Sequence, residues 1–387
     1  MLRDKFLIIF LLVSIASFGQ QRSKMLQASI QQASGGGGDV PRKMEIVLQS
    51  SQVTGTADLI NFPVLITLDM LDTEIVDGGT NSAKSDGDDI QFYSDSGLTN
   101  RLSVDIVQFV ASATSGDRRC TIFVKVPTLS YNSDTSIYIR YNDASATQPA
   151  SDASFGSEDV WSEFVVASLD GYTNRADNTN LTAAASGSTT TTSNPFGTAD
   201  YPIMDFDGAT QYYYDTTGYD PTLGTTFYTW FEMDSNTVFA RIYHFLHDST
   251  NDSQMQFCNA GAVSAGRIIS GYAIDLAGIA TANTTFYDSV SASTWAFAGI
   301  STDNSYDADL FVNGTTNIND SATGLSNTTT AQTRFHIGGK ADNTSRFDGR
   351  TIGWLLNSNK GFDWIETFYN NTSSPSTFGI EGTPTNL

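Results

Sequence analysis

The stretch IFVKVPTLSYNSDTSIYIRYND, residues 122–143, holds two runs in which apolar and polar residues alternate. In the first run, Ile122, Val124 and Val126 share one face, and the second run, TSIYIRY, repeats the pattern. A period of two is typical of β-strands with one buried face. Pro127 lacks a backbone N–H and is predicted to end the first strand, with SYNSD as the turn. The stretch therefore predicts two adjacent strands of an all-β fold.

The polar positions of the same stretch define its second face. Lys125, Tyr138 and Arg140 all fall opposite the aliphatic residues. Because the two strands are predicted to be adjacent, we expect these three side chains to share an outward surface that faces solvent or another domain.

Composition extends the all-β prediction to the whole chain and limits its partners. Of 387 residues, 40% are apolar, 12% are aromatic and only 16% are charged, a balance typical of β-structure with many turns. The net charge is −22. A nucleic acid or an anionic membrane surface requires Lys/Arg patches, and none stands out, so we expect neither as a partner.

The first residues resemble an export signal. Charged residues precede the apolar run 6–16, and Ser17 and Gly19 fit a cleavage site before Gln20, which predicts a signal peptide at 1–19. No other segment is apolar enough to span a membrane. Residues 20–41 read as a flexible Gln/Ser/Gly linker. Translation from Met25 is the alternative, and it would suit a virion component assembled inside a cell, with a homo-oligomer as the expected form.

Two modules follow the linker. We predict a small β-sandwich at 42–145 (the first module), a linker at 146–159, and a larger antiparallel sandwich at 160–382 (the second module). The segment GFDWIETFYNN has aromatic and aliphatic residues at three- and four-residue steps, which predicts a short helix near the C-terminus. Cys120 and Cys258 fall in different modules. They are either two buried free thiols or the two halves of one disulfide between the modules.

The first module resembles the bacterial family numbered 2341 among domains of unknown function. The resemblance rests on NFPVLITL (61–68), DGDDIQFYSDSG (86–97) and the stretch at 122–143. It implies a small β-sandwich of unassigned activity, often joined to a lectin-like partner. Phe123 departs from the family, which usually has tryptophan before Val-Lys-Val-Pro.

The second module resembles laminin-G-like, concanavalin-A-like domains. MDFDGATQYYY, STWAFAGISTDNSYDADLFVNG and RFHIGGKADNTSRFDGR carry the resemblance. It implies an antiparallel jelly-roll sandwich of the lectin/glucanase type. Family members often carry Ile-Asp-Glu where this chain has residues 351–353, so any role of those acids is lost here.

Glycoside hydrolysis on such a fold requires paired carboxylates. Glu232 and Asp234 share a strand face, but Asn236 and Thr237 stand where a third acid would fall, so we predict no glycosidase. A lyase base at His336 with Lys340 lacks the accompanying strand motifs. The remaining two histidines of YHFLHD, His244 and His247, are three apart, which puts them on opposite faces of a strand and disfavours a shared metal.

Two ligand sites remain as candidates. Calcium prefers several oxygens from a loop, and STDNSYDADL offers such a cluster. A sugar requires aromatic faces beside polar groups, and QYYYDTTGYD offers them. Strand alternation buries either Tyr213 or both Tyr212 and Tyr214 and leaves the others exposed. The candidate residues are Asp303, Asn304, Asp307 and Asp309 for calcium, and Tyr212, Tyr214, Tyr219 and Asp215 for glycan.

The sequence thus predicts a secreted or cell-surface, non-catalytic binding or adhesion protein whose partner is a polysaccharide or cell-surface glycan. Two alternatives stay open: a virion surface or fibre protein for host recognition, and a polysaccharide-active hydrolase or lyase. Calcium is the one cofactor that the sequence suggests.

Overall fold

Antiparallel β-strands dominate the computed structural model of this chain. It describes residues 40–169, 171–183, 188–190, 194–196, 201, 203–215, 224–234, 242–246, 256–259, 267–272, 289–290, 293–302, 308–313, 315–316, 334–339 and 346–387. The elements are β1 (Arg42–Leu48), β2 (Leu59–Thr67), α1 (Thr73–Val76), β3 (Gln91–Tyr93), β4 (Arg101–Leu102), β5 (Val104–Val110), β6 (Arg119–Leu129), β7 (Thr135–Tyr141), α2 (Ser157–Val160), β8 (Phe164–Ser168), β9 (Thr173–Asn174), β10 (Thr179–Asn180), β11 (Thr182–Ala183), β12 (Ser188–Thr190), β13 (Ile203–Asp207), β14 (Tyr213–Asp215), β15 (Thr225–Met233), β16 (Tyr243–Leu246), β17 (Gln256–Asn259), β18 (Arg267–Tyr272), β19 (Ser289–Val290), β20 (Ala296–Thr302), β21 (Ala308–Val312), β22 (Thr315–Thr316), β23 (Arg334–Ile337), β24 (Asp348–Leu356), α3 (Gly361–Ser373), α4 (Pro375–Phe378), β25 (Gly379–Glu381) and β26 (Thr385–Asn386).

The first module is a sandwich of two sheets. One sheet has the order β25-β1-β7-β3-β4, with β26 also paired to β1, and the other has the order β2-β6-β5. Alternation places Met44 and Ile46 of β1 and Val124 of β6 in the core between the sheets. The predicted all-β sandwich is therefore confirmed. The last two strands complete this sheet, although they follow the second module in sequence; the predicted boundary at residue 382 stays a prediction.

The opening stretch differs from its prediction in two respects. β6 continues past Pro127 to Leu129, because that end of β6 pairs only with β2, and β5 begins its pairing at Val124. A proline is tolerated on the side of a strand that has no partner. In addition, β6 and β7 belong to different sheets and are not adjacent.

Consequently, Lys125 does not share a surface with Tyr138 and Arg140. Its ammonium donates hydrogen bonds to the carbonyl of Asp159 at 2.9 Å and to the hydroxyl of Ser162 at 2.8 Å, so it faces the segment that leads into the second module. Tyr138 and Arg140 lie on the outer face of the other sheet.

The second module is also a sandwich, of a ten-stranded and a four-stranded sheet. The larger sheet has the order β10-β9-β8-β24-β15-β20-β21-β22, with β12 and β13 joined at β24, and the smaller has the order β11-β14-β23-β16. Phe206, Phe231 and Leu355 of the larger sheet pack against Tyr243 and Ile337 of the smaller. Strands β17, β18 and β19 form a further three-stranded sheet in that order.

Helix α3 confirms the helix predicted near the C-terminus and joins the two modules. Its Trp364 ring lies 4.7 Å from Phe62 of the first module, and its Phe368 ring lies 4.7 Å from Trp354 of the second. Asn371 accepts a hydrogen bond from the Leu65 N–H at 2.7 Å and donates one to the Leu65 carbonyl at 3.1 Å. The amide thus satisfies the backbone at the outer edge of β2.

The face of β6 that carries Phe123 is covered by the second module. Phe123 is fully buried, with its ring 5.0 Å from Trp161 and 6.5 Å from both Phe196 and Trp354. One apolar cluster therefore runs from the first sandwich through helix α3 to the larger sheet of the second. The two modules share a continuous core.

Candidate functional site

Two of the predicted glycan-binding tyrosines lie together on the outer face of the four-stranded sheet. In the register, Tyr214 of β14 pairs with His336 of β23. The His336 ring lies 5.5 Å from the ring of Tyr212 and 5.8 Å from that of Tyr214, with interplanar angles of 25° and 29°. The Arg346 guanidinium sits 4.1 Å from the centre of the Tyr212 ring, a cation–π contact. We call these four residues the aromatic cluster.

Burial differs within the aromatic cluster. His336 and Arg346 are buried, at 2% and 6% exposed, whereas Tyr212 and Tyr214 are half-buried. The buried pair therefore fixes the orientation of two rings that remain partly open to solvent. Fixed aromatic rings contribute contact area at low entropic cost, which suits recognition of a ligand with an apolar face.

The inward-pointing tyrosine of the same strand is Tyr213. It is buried in the core of the second sandwich. Of the two alternatives that the sequence left open, the structure therefore has Tyr213 buried and not the pair Tyr212 and Tyr214. Tyr172 stacks on it at 6.3 Å with an interplanar angle of 13°, and is 47% exposed. Asp215 pairs with Phe335 in the register, but its side chain is not described, and Tyr219 lies outside the described residues.

The predicted acidic pair Glu232 and Asp234 forms part of a second cluster, centred on Arg350. An Arg350 Nη1 hydrogen bond reaches Glu232 Oε2 at 2.8 Å, and Nη2 lies 3.6 Å from Asp234 Oδ2. On the other side, Arg350 Nε lies 3.8 Å from Asp205 Oδ1. Asp205, Arg350 and Glu232 are direct cross-strand neighbours on β13, β24 and β15.

Burial and neighbouring charges act in opposite directions on the pKa values of the Arg350 cluster. Partial burial raises the pKa of Asp205, Arg350 opposes that shift, and the neighbouring carboxylates reinforce it. The Arg350 pKa is raised: burial lowers it, but the Glu232 hydrogen bond and the surrounding acids outweigh that effect. The Arg350 guanidinium thus contacts carboxylates on both neighbouring strands.

The structure leaves no room for a side chain at position 353, where the resembled domains often carry Glu. A Cβ added at Gly353 would lie 2.1 Å from the Tyr243 hydroxyl. Thr351 is buried, and its hydroxyl lies 2.7 Å from that of Thr229 and 3.2 Å from that of Tyr243. Thr351 and Gly353 both face the core, and the second acid position, 352, is occupied by the buried Ile352.

The calcium candidates fall largely outside the described residues. Asp303, Asn304 and Asp307 are not described, and only the backbone of Asp309 is. Within the described part of the chain, no three His, Cys, Asp or Glu side chains come together as a metal-binding group. His244 pairs with His336 in the register, and both Lys340 and His247 lie outside the described part.

Cys120 is a buried free thiol, and burial raises its pKa. Cys258 lies on β17, and its side chain is not described. The structure therefore describes Cys120 as a small buried residue of the first core.

A buried polar contact joins the modules next to Phe123. Asp105 of β5 is fully buried, accepts a hydrogen bond from Trp161 Nε1 at 2.7 Å, and lies 3.4 Å from Arg175 Nη1. Burial raises the Asp105 pKa, and Arg175 and the Trp161 hydrogen bond oppose that shift. Asp105, which the sequence analysis did not single out, thus links β5 to two residues of the second module.

Comparisons with known proteins return structural neighbours only. No family model matches the chain, and no curated protein does. Domain 4 of AbnA, an extracellular GH43 arabinanase from Geobacillus stearothermophilus, matches at 10% identity and a TM-score of 0.37, covering 53% of this chain and 99% of that one. The binding domain of Paraclostridial mosquitocidal protein 1 matches at 13% identity and a TM-score of 0.37, covering 54% and 52%.

A sialidase from Trypanosoma rangeli, in complex with 2,3-difluorosialic acid, matches at 10% identity and a TM-score of 0.36. That match covers 65% of this chain and 42% of the sialidase chain, so this chain spans less than half of it. Within the described residues, no helix has the length and apolar character needed to cross a membrane.

Proposed function

We propose that this is a secreted, non-catalytic protein that binds glycan through its second module. The observation that carries the proposal is the aromatic cluster: two half-exposed tyrosine rings, fixed by a buried histidine and a buried arginine, on the outer face of a sheet. The apolar face of a pyranose ring can stack on such rings, while the tyrosine hydroxyls provide hydrogen bonds. In this proposal the first module belongs to the unassigned family that it resembles.

Replacing Tyr214 with alanine is expected to weaken glycan binding about tenfold, the effect of losing roughly 1.4 kcal/mol at a central aromatic contact. The measurement is a glycan-array screen of the full chain, followed by titration calorimetry on the best ligand. Tyr131→Ala is the matched control, because Tyr131 is an exposed tyrosine of the first module. Equal losses in both variants would contradict the assignment of the site, and absence of binding to any glycan would contradict the proposed function.

The same screen tests calcium. Asp303, Asn304, Asp307 and Asp309 of the second module are proposed to hold the ion. Binding that EDTA abolishes and added calcium restores would support that proposal. Glycan binding that EDTA leaves unchanged would show that recognition does not require calcium.

A glycoside hydrolase is the second candidate, favoured by the raised pKa of Asp205 beside Glu232. We expect no turnover of polysaccharides, because Arg350 engages Glu232 directly. The assay is reducing-end release from a polysaccharide panel by the wild type and by Glu232→Gln. Release by the wild type that Glu232→Gln abolishes, in a variant whose melting temperature is unchanged, would reverse the conclusion.

A further inference from the structure

The outer face of the first module contains an arginine whose charge is not compensated. Four of the five arginines between residues 40 and 145 donate to a carboxylate or a backbone carbonyl: Arg42, Arg118, Arg119 and Arg140. Arg101 of β4 is the exception. Its Nε and Nη2 are buried and have no hydrogen-bond partner.

Among the residues that the structure describes, no carboxylate pairs with Arg101. Its cross-strand neighbour is Tyr93, whose hydroxyl donates to Gln91, and the nearby Arg140 is paired with Asp143. Burial lowers the Arg101 pKa, and the charge of Arg140 lowers it further, whereas Tyr93 opposes the shift. In a chain with 42 acidic and 20 basic residues, a partly buried guanidinium without an acid is costly.

An exposed aromatic ring lies against the same guanidinium. The Arg101 Cζ is 5.7 Å from the centre of the Phe155 ring, and Phe155 is 39% exposed. Its φ is +67°, an unusual conformation for a bulky residue. Arg101 itself is half-buried, and its Nε and Nη2 are covered in the ligand-free structure. Binding at these two donors therefore requires the exposed Phe155 side chain to move aside.

We propose that Arg101 and Phe155 form a binding site for a carboxylate-bearing sugar, a uronic acid unit, on the first module. The two donors without partners, Nε and Nη2, form one edge of the guanidinium, and that edge matches the two oxygens of a planar carboxylate. Phe155 provides an apolar surface for the sugar ring beside it. The site is separate from the aromatic cluster, so Tyr214→Ala should leave it unchanged.

The test is titration calorimetry of the full chain with an oligogalacturonate and with a neutral galactose oligomer of equal length. The buffer contains about 0.15 M salt, at which the Debye length is roughly 8 Å. Beyond that distance the repulsion between the negatively charged protein and the uronate is largely screened. We expect the wild type to bind the uronate and not the neutral oligomer, and Arg101→Gln to bind it at least tenfold more weakly. Arg101→Lys should also lose affinity, because lysine keeps the charge but not the paired donors.

Arg119→Gln is the control, since it changes the net charge of the same module equally. Equal losses in Arg119→Gln and Arg101→Gln, or no uronate binding by the wild type, would overturn the proposal. Preference for a sulfated over a carboxylated oligomer would overturn the carboxylate assignment.

Thermal unfolding separates a ligand role from a structural one. Removing an uncompensated guanidinium should leave the melting temperature of ligand-free Arg101→Gln equal to or above that of the wild type. The uronate should raise the melting temperature of the wild type only. A lower melting temperature in ligand-free Arg101→Gln, with uronate affinity retained, would assign Arg101 a structural role instead.

Discussion

Replacing Asp105 with alanine is expected to lower the free energy of unfolding by about 3–5 kcal/mol, the range for breaking a buried ion pair on one side. The substitution leaves Trp161 Nε1 without its acceptor and Arg175 without the buried carboxylate. The measurement is equilibrium unfolding in urea, monitored by tryptophan fluorescence. Asp152→Ala is the control, because Asp152 is an exposed carboxylate near the same junction and should change stability by less than about 0.5 kcal/mol.

Asp105→Asn refines the test. The amide keeps an acceptor for Trp161 but removes the charge, so it should cost less than alanine does. Equal costs for alanine and asparagine would assign the effect to the ion pair with Arg175. A loss below about 1 kcal/mol in Asp105→Ala would show that the polar contact does not hold the junction.

Replacing Phe123 with alanine is expected to cost about 3–5 kcal/mol, as for other fully buried phenylalanines. The aromatic rings around it belong to the second module, so the cavity would open between the modules. Differential scanning calorimetry should show one transition for the wild type, because the core is continuous, and a lower or split transition for Phe123→Ala.

Ile60→Ala provides the control for Phe123. It removes an apolar side chain from the same sheet, but Ile60 is 53% exposed, so the loss should be small. Phe123→Trp tests the departure from the resembled family: the position is closed by rings of the second module, so the larger ring should cost about 1–3 kcal/mol. Two separate transitions in the wild type would contradict the shared core.

Local patterns predicted the elements well, because each depends on neighbouring residues. Period-two alternation located β6 and β7, and three- and four-residue spacing located helix α3. The same patterns could not show that β6 and β7 lie in different sheets. Alternation determines which side chains share a face of a strand, but not which strands pair.

The candidate sites were also predicted only where they depend on residues that are close together in the sequence. The sequence singled out Tyr212 and Tyr214, but His336 was assessed only as a lyase base, and Arg346 was not recognised. The Arg350 cluster joins Arg350 to acidic residues that lie more than one hundred positions earlier in the chain. Only the register of β13, β24 and β15 brings these together, and no local pattern encodes it. Arg101 has no sequence signal, because the lack of a partner is a property of the folded structure.

The pairing of β1 with β25 has a consequence for biosynthesis. β1 bonds along one edge to β7 and along the other to residues about 330 positions later in the chain. In a nascent chain one side of β1 therefore stays open until residues 379–381 have left the ribosome. During that interval the exposed strand edge is available for pairing with another chain, which makes late release from a chaperone, rather than rapid domain-by-domain folding, the safer route to the native state.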